Sequence, residues 1–355
     1  MSNVSFNNKN NPFFTSLKGK VNQYFFDNQF HTSGNKRLYF KSSIQTGSAI
    51  ALYIMLVFFT PGIFLSLILC AVLGVNLAVL GFNIMHEGGH QTFSKYSWLN
   101  TVGAYFLNVL GGNIFFWKIK HNINHHTYTN IEGMDSDIDI KPFMRVHEKQ
   151  SRLWIHKFQH IYCVILYGIS YLVWIFWDDF QKYFTGDIAT GQHRRMEIKE
   201  HLIFWVTKVL YIIVYLVVPI FLLGFAKALI GFAVISFVCG LSIGLVFQLA
   251  HVVEGTSFPE PSIDLNRIEQ EWAIHQINTT ANFSTNNKIV SWLLGGLNFQ
   301  VEHHLFPRIS HIHYPAINRL VKETCEEFKI KYLEYPSVYS AVHSHFSHIK
   351  RIGNT

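Results

Sequence analysis

The sequence predicts an all-α integral membrane protein: four transmembrane helices in two hairpins, interfacial helices, and a cytoplasmic, histidine-rich, metal-binding cap. Three observations lead there. Apolar residues make up 49% of the chain and charged residues only 14%, a balance that suits lipid better than water. Phe alone supplies 32 residues, and aromatic side chains suit both a lipid-facing surface and the wall of an apolar channel. Three histidine clusters punctuate the apolar stretches: His86-Glu-Gly-Gly-His90, His121-Asn-Ile-Asn-His125-His126 and Gln300-Val-Glu-His303-His304.

Residues 1–43 are polar and carry Lys9, Lys18, Lys20, Lys36, Arg37 and Lys41, so the positive-inside rule sets this arm in the cytoplasm. Met1 to Phe26 has no apolar signal-peptide core, and the first membrane helix is expected to act as its own signal. Ile44 to Phe59 is apolar, Pro61-Gly62 makes a turn, and Ile63 to Ile84 is apolar again. That hairpin returns His86 to the cytoplasmic face. Residues 99–116 are apolar but interrupted by Asn100, Asn108, Gly111, Gly112 and Asn113, which reads as a re-entrant or interfacial helix. It delivers the second cluster.

Three more apolar stretches lie near 161–177, 202–224 and 228–250. If all three crossed the membrane, the third cluster would face away from the first two, and one metal centre could not form. The stretch expected not to span is 161–177, which is short and closed by Trp174, Trp177, Asp178 and Asp179. The basic segment from Gln192 to Lys199 then stays cytoplasmic, and the last two stretches make the second hairpin. Residues 251–355 form a polar cap. The expected organisation is an arm over 1–43, one membrane and metal-binding domain over 44–335, and a tail over 336–355. Metal site and both termini fall on the cytoplasmic side.

The net charge of +7 suits anionic headgroups or an acidic partner. Basic residues are too thinly spread, without a recognition motif, for nucleic acid. Cys70, Cys163, Cys239 and Cys325 form no C-x-x-C pair and read as free buried thiols.

His86 and His90 are spaced i, i+4 on one helix face, and His121 and His125 repeat the spacing. Two imidazoles one turn apart can grip one ion. His126 is rotated by about 100° from His125, so adjacent histidines can serve different ions, and His303-His304 offer the same fork. His251 ends the last apolar stretch, where an ionisable group is costly without a function, and joins the ligand candidates. Gln300, His275, Asp135, Asp137, Glu254 and Glu302 are candidates for a metal contact or for orienting imidazoles, as is Asp139. His343, His345 and His348 read as a solvated tail; His311 and His313 read as supporting or exposed residues.

At these residues the chain resembles the membrane fatty acid desaturases, from about residue 44 to 335. H-x-x-x-H, H-x-x-x-H-H and Q-x-x-H-H occur in that order, with Phe247-Gln-Leu-Ala-His251, Asn278-Thr-Thr-Ala-Asn282 and Gly295-Gly-Leu-Asn-Phe-Gln300 around them. Gln300, in place of the first histidine of the third box, marks the acyl-CoA or acyl-lipid subgroup with linoleoyl-CoA and other front-end desaturases. The resemblance implies two non-haem irons held by the box histidines and His251, and oxygen-dependent removal of two hydrogens from adjacent methylenes to leave a cis double bond. Many front-end members carry a fused cytochrome b5 with His-Pro-Gly-Gly, which this sequence lacks. The expected donor is therefore a separate ferredoxin, or cytochrome b5 with its reductase, and the substrate an acyl-CoA or acyl-lipid. The alternatives are a hydroxylase of the same three-box superfamily acting on lipid, alkane or carotenoid, and a non-catalytic membrane metal-binding protein. The second would need a polar path through the spans, which the sequence does not show.

Overall fold

A computed structural model describes residues 4–9, 11–262 and 264–355 of the chain. Helix α1 (Pro12–Asn28) starts on a proline, whose fixed φ and missing N–H suit the first turn. Helix α2 (Lys36–Phe59) is capped by Asn35, whose side chain accepts from the N–H groups of Arg37 and Leu38. A turn at Thr60-Pro61-Gly62 reverses the chain into α3 (Ile63–Gly89). Then come α4 (Ser97–Val109) and α5, residues 114–128, which carries the second cluster. Helix α6 (Trp154–Thr185) is followed by the hairpin α7 (Ile198–Leu223) and α8 (Phe225–His251). The remainder is the cap: α9 (Trp272–Thr279), α10 (Lys288–Leu293), α11 (Gln300–Leu305), α12 (Tyr314–Glu327) and α13 (Val338–Asn354).

Helices α2, α3, α6, α7 and α8 are each long and apolar enough to cross a bilayer. Phe58, Phe59, Phe64, Ile68, Phe221 and Phe225 project from them fully or largely exposed, as side chains facing lipid do. Among the described residues the strands are two or three residues long and only pin segments together, for example Ser5–Phe6 parallel to Arg267–Ile268 and Asn282–Phe283 parallel to Glu334–Tyr335.

The stretch 161–177 is not short. It is the middle of α6, a helix of 32 residues that packs along α8. Gly168 and Gly240 make that approach close: a Cβ on Gly240 would stand 2.5 Å from the Gly168 carbonyl oxygen. Small residues let helix backbones meet where apolar area gives no drive to associate in lipid. Both ends of α6 are tied to parts of the molecule outside the apolar spans. Near Trp154, the Gln159 amide donates to the Ile349 carbonyl of α13 at 2.6 Å. Beyond Thr185, the Thr190 carbonyl accepts from the Asn124 amide of α5 at 2.9 Å.

Two cores result. One lies among the long helices around Leu73, Leu77, Tyr171, Ile175 and Cys239. The other is in the cap, where Phe13, Leu17 and Val21 of α1 pack with Ile277, Val301, Ile317 and Val321. The polar N-terminal region thus contributes a buried helix face to the cap. All four cysteines are free and buried, as their apolar setting led us to expect.

Candidate metal centre

Four elements bring the histidines together. Helix α3 passes through a π-type turn at Gly81–Met85 and ends in His86 and His90. That end requires its glycines: a Cβ on Gly88 would lie 2.3 Å from the Ala104 nitrogen of α4, and one on Gly89 would lie 2.3 Å from the Trp117 ring. Helix α5 is wound as a π-helix over Lys118–His125. Its i, i+5 closure changes the expected pairing, because His121 and His126, five apart, now face each other with Nε2 atoms 3.2 Å apart. Helix α8 ends in His251, and α11 carries His303 and His304.

Their nitrogens fall into groups whose candidate ligand atoms all lie within 4.8 Å of one another. One is His86, His90, His121 and His303; a second is His125, His251 and His304; His126 groups with His303 and His304. His121 and His125 therefore belong to different main groups, although with Asp137 they form a further one. In the first group His86 Nε2 stands 3.3 Å from His121 Nε2. In the second, the Gln300 amide lies 2.9 Å from His251 Nε2 and 3.3 Å from His304 Nε2. Turning that amide over would present its oxygen to the same space.

This arrangement fits metal ions. The Nε2 atoms of His90, His125 and His303 are buried without a hydrogen-bond partner, which is costly for a polar atom. Nitrogens roughly 3 Å apart match ligands each about 2.1 Å from a shared ion. Burial, then repulsion among neighbouring imidazoles, lowers the pKa of His90, His126, His303 and His304 well below the ordinary histidine value, leaving them in the neutral, ligating form.

Outer partners set the tautomers. Burial would lower the pKa of His125, but Asp135 outweighs it: His125 Nδ1–H donates to the carboxylate at 3.0 Å. Asp137 lies 3.5 Å from His121 Nδ1. His304 Nδ1–H donates to Gln276 Oε1 at 2.8 Å, His251 Nδ1–H to the Thr279 carbonyl at 3.4 Å, and His303 Nδ1 meets the Tyr314 hydroxyl at 3.2 Å. With Nδ1 occupied, each ring aims Nε2 inward. Gln276, Thr279 and Tyr314 escaped sequence reasoning because no regular spacing ties them to the histidines they contact. Glu87 escaped although it sits inside the first cluster. It turns the other way, accepting from His311 N–H and Nδ1–H at 2.8 Å each, while Lys41 Nζ stands 3.2 Å from His311 Nε2.

Other candidates lie elsewhere. The Glu302 carboxylate accepts from Asn282, Asn318 and Tyr332, so it ties α11 to the cap rather than orienting an imidazole. Glu254 is exposed three residues past the end of α8 and belongs to none of the metal-binding groups. Asp139 pairs with Lys141 and lines a cavity beside the site, but joins none of the metal-binding groups. His275 is buried against Phe6, outside the metal-binding groups. The tail is not solvated: His345 is fully buried, accepting from or donating to Tyr167 at 2.9 Å, and His348 Nε2 bonds the Val146 carbonyl. An amphipathic α13 docked on α6 accounts for this, and only His343 of the three points to solvent.

Beside the imidazoles lies a cavity of about 350 Å³. Its long wall is one face of α6, running from Leu166 through Tyr171, Trp174 and Ile175 to Asp178 and Lys182. His86, His121 and Gln300 open onto it, and most of its lining is apolar. One part is charged, formed by Lys120, Asp137, Asp139, Asp178 and Lys182. Asp137 joins that part to the histidines, with Oδ1 2.7 Å from Lys120 Nζ and Oδ2 facing His121.

Sequence comparison agrees with this geometry. The profile of the fatty acid desaturase family matches residues 61–336. An acyl-lipid (8-3)-desaturase of Physcomitrium patens is 34% identical over 98% of this chain and 73% of its own length. Two proteins named sn-1 linoleoyl-lipid 6-desaturase are also similar. The one from Arthrospira platensis is 33% identical over 96% of this chain and 92% of its own length. The one from a Synechocystis species is 34% identical over 95% and 94%. The family profile alone covers well over half of the sequence, so the chain belongs to the fatty acid desaturase family and is an oxidoreductase, an acyl desaturase of the membrane.

Proposed function

We propose that this desaturase is a front-end enzyme acting on acyl-lipids, and that two non-haem irons occupy the two histidine groups. The observation that carries this reading is the position of the cavity's charged part, one aspartate side chain away from the imidazoles. A substrate whose oxygen-bearing end sits there has few carbons between that end and the metal groups, and its long aliphatic remainder fits the apolar lining. Relatives named for lipid-linked substrates support the acyl-lipid carrier over acyl-CoA.

In this reading one ion takes His86, His90, His121 and His303, and the other takes His125, His251 and His304 with Gln300 beside them. His126 stands between the two sets. Bound iron would supply oxygen activation and the oxidising power to remove hydrogens from unactivated methylenes. The protein's own part is positional. Asp135, Asp137, Gln276 and the Thr279 carbonyl keep the Nε2 lone pairs of their histidines directed inward. Leu110, Tyr171, Trp174 and Ile175 exclude water and confine the chain. Electrons come from a separate acidic carrier, ferredoxin or cytochrome b5 with its reductase, which the net charge of +7 suits.

Both ends of α6 meet non-spanning parts of the molecule, which supports four crossings by α2, α3, α7 and α8, with the metal centre and termini in the cytoplasm. Two measurements test the function. Purified protein should carry close to two irons per chain, and expression in a host of defined lipids should yield new double bonds near the carboxyl end of lipid-bound acyl chains. One zinc without iron, or double bonds placed at a fixed distance from the methyl end, would refute the corresponding part.

A further inference from the structure

Among the described residues, the charged part of the cavity contains one cation with nothing to hold. Lys182 and Asp178 sit one turn apart on α6, and both line the cavity. Four charged groups lie in electrostatic range of the Lys182 ammonium: Lys120, Asp178, Asp179 and Asp137. Two of the carboxylates are already engaged. Asp137 pairs with Lys120 at 2.7 Å, and Asp179 pairs with Lys208 at 2.9 Å. Asp178 does not close on Lys182 despite the favourable i, i+4 spacing, and among the described residues the Lys182 side chain makes no hydrogen bond or ion pair. A half-buried ammonium beside an apolar chamber, with Asp137 and Asp179 committed to other lysines, is a donor placed for an acceptor that enters from outside.

Within the acyl chain itself, acceptor oxygens occur only at the carboxyl end, which is the part nearest the reacting methylenes in the front-end reading. We propose that Lys182 is the substrate-binding residue that holds the carbonyl and ester oxygens of the acyl substrate, and so fixes which carbons reach the metal centre. This rests on the front-end reading, because a fixed distance from the carboxyl end needs an anchor at that end. The α6 wall two turns before Lys182 is itself held: Lys208 Nζ of α7 donates to the Ile175 carbonyl of α6 at 2.7 Å and to the Gly111 carbonyl in the turn between α4 and α5 at 2.6 Å. Asp178 is left to receive a hydroxyl or ammonium carried near the ester.

Full-length, iron-loaded protein in lipid nanodiscs, chemically reduced and given oxygen once, provides the assay. The substrate is a diacyl lipid at varied mole fraction, and the product is read by mass spectrometry of double-bond position. Lys182→Met should raise the half-saturating lipid fraction about tenfold, the scale of one lost charged hydrogen bond, and should spread the double bond over neighbouring positions. Lys182→Arg should restore a single position. Should Lys182→Met bind less iron than wild type, Lys182→Gln is read instead, with an intermediate shift expected. Wild-type half-saturation together with a wild-type position in whichever variant keeps its iron overturns the proposal. A separate arm gives the wild-type enzyme acyl chains that differ by a two-carbon unit. Constant distance from the methyl end refutes the front-end reading itself, independently of what Lys182 does.

Discussion

His125 shows how much one side chain can carry in this site. Its Nδ1–H is committed to Asp135, its Nε2 is buried without a partner, and it shares a group with His251 and His304. His125→Ala should therefore abolish desaturation and lower the iron content, measured by elemental analysis of the purified protein. Asp135→Asn is the finer probe. It keeps the shape but replaces the acceptor that fixes the tautomer, and outer partners of this kind are worth roughly 10–100-fold in metal affinity or activity. Activity at the wild-type level with full iron would show that Asp135 only fills space. Seven of the converging imidazoles were legible in the sequence because clustered spacings mark them, and His251 because an ionisable group ends an apolar stretch. Glu302 shows the limit of that signal. It flanks His303, yet its carboxylate serves Asn282, Asn318 and Tyr332, and nothing in a linear spacing tells which way a residue beside a ligand turns.

Elements obey the same division. The apolar runs, the turn at Pro61-Gly62 and the hairpin before His251 were legible because length and hydropathy determine them. The π-type winding of Lys118–His125 was not, since neither hydropathy nor an i, i+4 spacing marks an i, i+5 closure, and it changes which histidines pair. The C-terminal helix was misread for a related reason. Histidine is polar in isolation, but α13 turns His345 and His348 inward, where the carbonyls of Val252, just past α8, and Val146, in the loop before α6, take their N–H groups. Burial, above all, pushes the His345 pKa down to about 4, despite the bond to the Val252 carbonyl and with a further push from His348. The unfolded chain binds this proton near pH 6.5 and the folded protein does not, so the stability that neutral His345 confers is present above that pH and is lost as pH falls toward 4. The loss approaches about 3 kcal/mol, which should appear as a falling Tm in detergent between pH 6.5 and 4. Replacement by Gln, which cannot take up the proton, should flatten that slope. An equal slope in His345→Gln would assign the acid sensitivity to other groups.

At the scale of the whole molecule, the convergence of the histidines constrains how the chain crosses the bilayer. Residues 86–90 and 121–126 reach the same groups as His251, 303 and 304, so the segment between His126 and His251 must cross an even number of times. Helices α7 and α8 form a hairpin and supply two crossings. Helix α6 is long enough to add a third, and composition alone cannot separate a buried surface helix from a span. Its contacts argue against crossing, because Gln159 meets α13 at one end and Thr190 meets α5 beyond the other. The four native cysteines are buried, so single engineered cysteines at exposed positions report topology with little background. An impermeant thiol reagent added outside intact cells should label Thr60→Cys and Lys227→Cys, at the tips of the two hairpins. It should miss Lys95→Cys, Arg195→Cys and Tyr339→Cys until the membrane is opened. Labelling of Arg195→Cys from outside, with Lys95→Cys still protected, would make α6 a fifth span. The hairpin after it would then leave His251 on the outer face, where it could not share an ion with His125, and the even-crossing argument would fail with it.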